Sequence, residues 1–206
     1  MEDPANTSVE MWIGRPKLIL ASSSPRRRVL LESVGALAEV RIPGIAESIE
    51  VTECPDELAR RLSRAKAEPV ADGLSRGIVL GADTLVVLDG ELMGKPRSRD
   101  EARSMLTRLG GRTHQVVTGI TLVDAETGRS VSAHATTDVT FRPISEAEIN
   151  AYLETGEPFD KAGAYGAQGR AGLFISSVNG CFYNVVGLPL ALLVATLDEL
   201  LGNASG

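Results

Sequence analysis

Ser22, Ser23, Ser24, Arg26 and Arg27 crowd one short stretch, directly after the apolar run at residues 17–21 and around Pro25. A strand that turns straight into a helix here presents unpaired N–H groups and a partial positive charge at the helix start. Serine hydroxyls and arginine forks add donors shaped for phosphate oxygens. The same residues also suit a plain capped helix with solvated arginines, and the GxxxxGK[ST] phosphate loop is missing. A second stretch, Gly81-Ala82-Asp83-Thr84, sets one carboxylate between two apolar runs. There Asp83 can hold a divalent cation or take a proton from water, or it can serve as a turn aspartate bonded to its own backbone.

Three lysines are less distinctive. Lys66 falls late on a predicted helix, Lys95 precedes Pro96 in a predicted loop, and Lys161 opens a run of small residues at 160–172. That run is rich in Gly and Ala, which lets backbone approach a ligand closely. Its Gln168 carries the paired donor and acceptor that can read the edge of a base, although the composition equally suits a surface loop. His114 and His134 are the only histidines, with no HExxH pattern and no Cys/His cluster beside them, which argues against zinc. A G-x-S-x-G nucleophile elbow is also missing.

The elements that would position these groups can be read from periodicity and punctuation. Residues 17–21 form a buried strand, followed by a helix with Ser24 at the N-cap, Pro25 in its first turn and Gly35 past its end. A helix over 55–67 should stop before Pro69. Asp89-Gly90 between apolar stretches marks a hairpin. Capping boxes at Ser98/Glu101 and Ser145/Glu148 open two further helices. Residues 115–123 and 131–141 read as strands joined at Gly128, residues 173–178 and 182–186 as two more, and 189–201 as a last apolar helix. Mixed strands and helices imply an α/β or α+β fold on a mixed sheet. Residues 1–16 read as a flexible extension, 17–201 as one domain and 202–206 as a tail.

Composition narrows the function. The chain has 206 residues and a net charge of −6, which opposes sequence-independent binding of nucleic acid but leaves room for a local cationic site. Two distant cysteines, Cys54 and Cys181, form no disulfide framework. No apolar run reaches membrane-spanning length and the start does not resemble a secretory signal, so a cytoplasmic protein is expected.

Together these stretches resemble the Maf family of nucleotide pyrophosphatases. The matching blocks are LILASSSPRRRVLLESVG, GADTLVVLDGELMGKPRS, GGRTHQVVTG, EPFDKAGAYGAQG and NVVGLPL, in that order. The resemblance implies an elongated, ITPase-like mixed sheet flanked by helices, with two lobes around a cleft. It implies a cut between the α- and β-phosphates of a nucleoside triphosphate, dependent on a divalent cation, Mg²⁺ or Mn²⁺. By the same resemblance Asp83 is the proton acceptor. Ser22, Ser24, Arg26 and Arg27 form the first phosphate-binding turn, Lys66, Lys95 and Lys161 line the cleft, and Glu47 joins Asp83 at the metal. Ala46 departs from a second acidic residue common in relatives, and Cys181 from a serine. Arg26, Thr84 and Gln168 agree with the subtype that prefers dTTP and UTP over 7-methyl-GTP, Gln168 being the candidate reader of the pyrimidine edge. A homodimer is left open. The rival readings are a pyrophosphatase for other modified nucleotides and a non-catalytic nucleotide-binding regulator of cell division.

Overall fold

The computed structural model of the protein describes residues 12–44 and 53–202. Glu47 and its neighbour Ala46, residues 1–11 and residues 203–206 lie outside the described residues.

Strand β1 (Leu18–Ala21) runs into α1 (Pro25–Ser33) and on to β2 (Leu37–Val40); α2 (Pro55–Asp72) follows. A hairpin of β3 (Ile78–Leu88) and β4 (Glu91–Met93) precedes α3 (Arg99–Leu109). Next come the long strands β5 (Thr113–Asp124) and β6 (Ser130–Phe141), then α4 (Glu146–Glu154). Short 3₁₀ turns lead to β7 (Ile175–Asn179), and α5 (Phe182–Val186) and α6 (Leu190–Leu201) finish the order. The seven strands form one mixed sheet in the order β2-β1-β3-β5-β6-β7, with β4 attached to the far end of β3. β1 is parallel to both its neighbours and the other pairings are antiparallel.

Much of this follows from the turn and cap chemistry. Asp89 and Gly90 both adopt positive φ, 54° and 81°, as a two-residue hairpin turn requires. Ser98 accepts from the Glu101 amide, and Ser145 and Glu148 satisfy each other's backbone in a complete capping box. The predicted apolar stripes of α3 (Ala102, Met105, Leu106, Leu109) and α4 (Ile149, Tyr152, Leu153) are buried.

The structure departs from the sequence reading in five places. α2 continues through Pro69 to Asp72. Proline removes one donor and crowds the preceding turn, but Val70 and Ala71 beyond it are buried with Ile19, Ala21 and Val79, and that packing carries the helix on. Phe182–Val186 is a helical turn and not a strand; five residues with one polar side chain among four large apolar ones do not declare their period. Leu173 is not in a strand, because residues 170–174 turn as 3₁₀ and β7 starts at Ile175. Within the expected extension, Trp12 is 5% exposed and packs among Leu18, Leu30 and Leu197, while Arg15 pairs with Asp198 on α6. The edge strand β2 has no counterpart in the sequence reading.

The cores locate the centre of the molecule. On one face of β3, Ile78, Leu80 and Ala82 belong to a cluster with α1 and α6, whereas Val86 and Leu88 belong to another with α3 and α4. On the other face Val79 packs with the end of α2, and Leu85 and Val87 pack with its start. Asp83 and Thr84 therefore sit where the cores on both faces divide. Among the described residues no helix is long and apolar enough to cross a membrane.

Candidate active site

The sheet opens at the same point. β1 pairs with β3 as far as Gly81, and β4 takes up the same edge from Val86. Between them, residues 82–85 of β3 have no strand partner on that edge among the described residues. A cleft of about 1070 Å³ occupies the gap. Its lining includes Ser22 to Arg27, Lys66, Asp83, Thr84, Lys95, Asp160 and Lys161, with Val86, Met93, Val116, Tyr165 and Val185 as its apolar part.

Each chemical group is delivered by a definable element. Helix α2 lies against the sheet at two glycines. A Cβ on Gly81 would come 2.1 Å from the Ser63 carbonyl oxygen, and one on Gly119 would come 2.1 Å from that of Ala59. Gly119 is the cross-strand partner of Asp83, so this contact sets Lys66, one turn beyond Ser63, over the Asp83 carboxylate. The Lys66 ammonium donates a short hydrogen bond to Asp83 Oδ1, and both residues are more than nine-tenths buried. A charge held this deep is stable only when paired.

On the opposite face of β3 a second network converges on Arg27. Its Nε donates to the Gly187 carbonyl at 2.8 Å, Nη1 to Ser22 Oγ at 3.2 Å and Nη2 to Thr84 Oγ1 at 2.9 Å. Thr84 meets Thr118 at 3.0 Å, Thr118 donates to the Asn184 carbonyl, and the Asn184 amide donates to Val116 O and Thr137 Oγ1. Thr137 in turn holds the Cys181 backbone. That network buries Asn184 completely and explains why α5 turns where the sequence alone suggests a strand. Neither Ser24 nor Cys181 caps its helix with its side chain.

The remaining cations ring the mouth. Arg26 lies 3.8 Å from Asp160, and Lys161 donates to Asp160 at 2.5 Å and to the Glu157 carbonyl at 2.7 Å. Burial pushes the Asp160 carboxyl up, but Lys161 and Arg26 outweigh it and hold it below its ordinary value. Lys95 is exposed on the cleft wall. Thus Ser22, Ser24, Arg26, Arg27, Lys66, Asp83, Thr84, Lys95 and Lys161 line one cavity. Gln168 does not join them: Gly166 and Ala167 line the cleft, while Gln168 is exposed beyond it. Asp160, Glu53, Tyr165 and Asn184 escaped the sequence reading. Asp160, Tyr165 and Asn184 do fall within the blocks that carry the family resemblance, Asp160 directly before Lys161, whereas Glu53 carried no signal.

The carboxylates decide how a cation would be held. Glu53 is chelated by Arg61, which depresses its pKa, and Asp160 is held by Lys161 and Arg26. Among the described residues no three acidic, histidine or cysteine side chains gather as a metal cage. The donor set fits a cation held by Asp83 together with the phosphates of a ligand, the mode Mg²⁺ favours.

Fold and cleft define a class: a mixed α/β protein whose split sheet gathers serines, arginines and lysines around the buried Asp83. The chain belongs to the Maf family, whose profile, described as Maf-like protein, matches residues 17–200. It is 51% identical over 183 residues to a dTTP/UTP pyrophosphatase of Symbiobacterium thermophilum, covering 89% of this chain and 93% of that one. It is 49% identical to a protein of the same description from Moorella thermoacetica, covering 90% and 93%. A solved nucleoside-triphosphatase / dITP/XTP pyrophosphatase from Mycobacterium abscessus aligns at 16% identity over 62% of this chain and 75% of the other, with a TM-score of 0.38.

Proposed function

We propose that the protein hydrolyses dTTP and UTP to the nucleoside monophosphate and pyrophosphate, with residues 17–201 acting as one catalytic unit in the cytoplasm, where such triphosphates are made and used. The observation that carries this reading is the Lys66–Asp83 pair at the floor of a cleft whose rim is cationic, in a chain that matches dTTP/UTP pyrophosphatases over nearly their whole length.

The chemistry follows from the arrangement. A triphosphate near neutrality is a dense anion, and Arg26, Lys95, Lys161, the Ser22 hydroxyl and the open amides at the start of α1 are the groups that bind it. Lys66 engages one Asp83 oxygen and orients the carboxylate, leaving the other to accept a proton from water. That water attacks the α-phosphorus, the bond to the α–β bridging oxygen breaks, and the electron pair leaves with pyrophosphate. A divalent cation held by Asp83 and the phosphates would offset the charge that grows on the leaving group. No covalent intermediate is needed.

The test is release of pyrophosphate from dTTP, UTP, CTP, GTP and 7-methyl-GTP with Mg²⁺ or Mn²⁺, comparing native protein with Asp83→Asn. Turnover of dTTP and UTP, reduced by roughly 10²–10⁴-fold in the variant as expected for loss of a general base, bears the reading out. Folded native protein that cuts none of them removes the enzyme and brings the nucleotide-binding regulator forward.

A further inference from the structure

The hydrogen bonds around Arg27 fix the direction of two hydroxyl protons, and the two directions differ. A hydroxyl has one proton to give and two lone pairs to receive. Ser22 Oγ receives twice, from Arg27 Nη1 and from the Ser24 amide, both at 3.2 Å. Its own proton has no acceptor among the described residues, yet Ser22 is 5% exposed and lines the cleft. On the other side of the guanidinium, Thr118 spends its proton on the Asn184 carbonyl at 3.1 Å. In the 3.0 Å contact between Thr84 and Thr118, Thr84 must therefore be the donor. Thr84 also accepts from Arg27 Nη2 at 2.9 Å. Its proton is committed inward, and that of Ser22 is left for the cleft.

We infer that Arg27 acts on the ligand through Ser22, as a positioning residue: it holds the Ser22 hydroxyl as a donor to a phosphate oxygen and keeps Thr84 out of that role. The two adjacent arginines then divide the work. Arg26 faces the ligand as a cation, whereas Arg27, 8% exposed, ties the β1–α1 turn to β3 and to Gly187 and lends its charge to the serine in front of it. A hydroxyl backed by a guanidinium is a stronger donor than one backed by water, because hydrogen bonds in a chain polarise one another. Only Ser22 combines a buried oxygen, two incoming bonds and a proton with no protein acceptor among the described residues. The phosphate chemistry of the ligand rests on the pyrophosphatase reading above.

A double-mutant cycle tests this with binding and turnover side by side. Calorimetric binding of inorganic pyrophosphate with Mg²⁺, and KM and kcat for dTTP, are measured for native protein, Ser22→Ala, Arg27→Lys and the double variant, with thermal unfolding of each. Ser22→Ala should weaken pyrophosphate binding roughly 10- to 100-fold, the worth of one hydrogen bond to a charged group, and Ser22→Thr should restore most of it. The double variant should bind no more weakly than Ser22→Ala alone, since Arg27 has nothing left to act through. Where Arg27→Lys does not fold, Arg27→Met, which keeps the length of the side chain and loses the donors to Ser22, takes its place in the cycle. Losses that multiply would show Arg27 gripping phosphate itself, and Ser22→Ala binding as tightly as native would show that the hydroxyl gives no bond; either overturns the inference. Native protein that turns over dTTP while failing this cycle leaves the pyrophosphatase reading intact. Native protein that neither binds pyrophosphate nor cuts a triphosphate removes both.

Discussion

At His114 a titratable ring lies where only its neutral form is tolerated. Its Nε2 meets the Tyr165 hydroxyl at 2.7 Å and Phe141 stands edge-on to it, but Nδ1 has no partner. With Tyr165 donating, the orphan is one N–H; with the reverse tautomer both Nδ1 and the phenol proton would be orphaned, so the first arrangement costs less. Burial pushes the His114 pKa down from 6.5 to about 4 and pushes the Tyr165 phenol up. The consequence for stability has a definite sign. As pH falls below 6.5 the unfolded chain takes up a proton that the folded chain refuses until about pH 4. The stabilisation is thus whole above 6.5 and is lost on the way down to 4, by about 3 kcal/mol at most. Denaturant unfolding at pH 7, 5.5 and 4.5 should show native protein losing about 2.5 kcal/mol more than His114→Gln by the lowest pH. Parallel pH curves for the two proteins would mean that the ring is not held neutral. Because Tyr165 is part of the cleft wall, the same pair keeps an apolar surface in place beside the phosphate-binding groups.

At the scale of elements, α2 is the part on which the site depends. It crosses the sheet over Gly81 and Gly119 with no room for a methyl group at either, and the crossing aligns Lys66 with Asp83. A Gly119→Ala substitution would push against the Ala59 carbonyl and the Arg60 amide, which are backbone and cannot step aside. The helix must lift, at a cost of about 3 kcal/mol, and Lys66 moves with it. Lowered thermal stability together with a fall in kcat for dTTP is expected. Ser145→Ala, which removes the α4 capping box far from the cleft, should cost about 1 kcal/mol and leave kcat unchanged. A Gly119→Ala protein as stable and active as native would show the contact to be slack. These elements also show where sequence suffices. The Asp89-Gly90 turn, the Ser145/Glu148 box and the stripes of α3 and α4 are local signals, and each appears as read. α5 and the length of α2 are not local: Asn184 is drawn inward by Val116 and Thr137 on neighbouring strands, and Val70 pulls the helix past Pro69. The cationic side chains of the site were legible as types, and their meeting was legible only through the family resemblance. Gln168 looked like a base reader by type and stands outside the cleft by position.

Across the whole molecule, the division of both faces of the sheet at Asp83 and Thr84 makes two packed bodies that share continuous strands. One is built on α1, β1 and α6, the other on α3, α4 and β4. The cleft residues come from both: Ser22 and Arg26 from the first, Lys95, Asp160, Lys161 and Tyr165 from the second. Across the mouth the bodies touch through the 3.8 Å pair between Arg26 and Asp160, whose carboxylate is 65% exposed. An ion pair that open to water contributes little. A triphosphate would replace this weak tie with several charge-assisted bonds to both bodies at once, and a ligand that binds only the folded chain stabilises it by mass action. At one hundred times its dissociation constant the gain is about 2.7 kcal/mol. Native protein with Mg²⁺ and a dTTP analogue that cannot be cut between its α- and β-phosphates should therefore unfold at higher temperature than without them. Amide exchange should slow at residues 22–27 and 160–167 together. Protection confined to one of those two segments would mean that the nucleotide sits on one body alone and that the cleft does not bridge them.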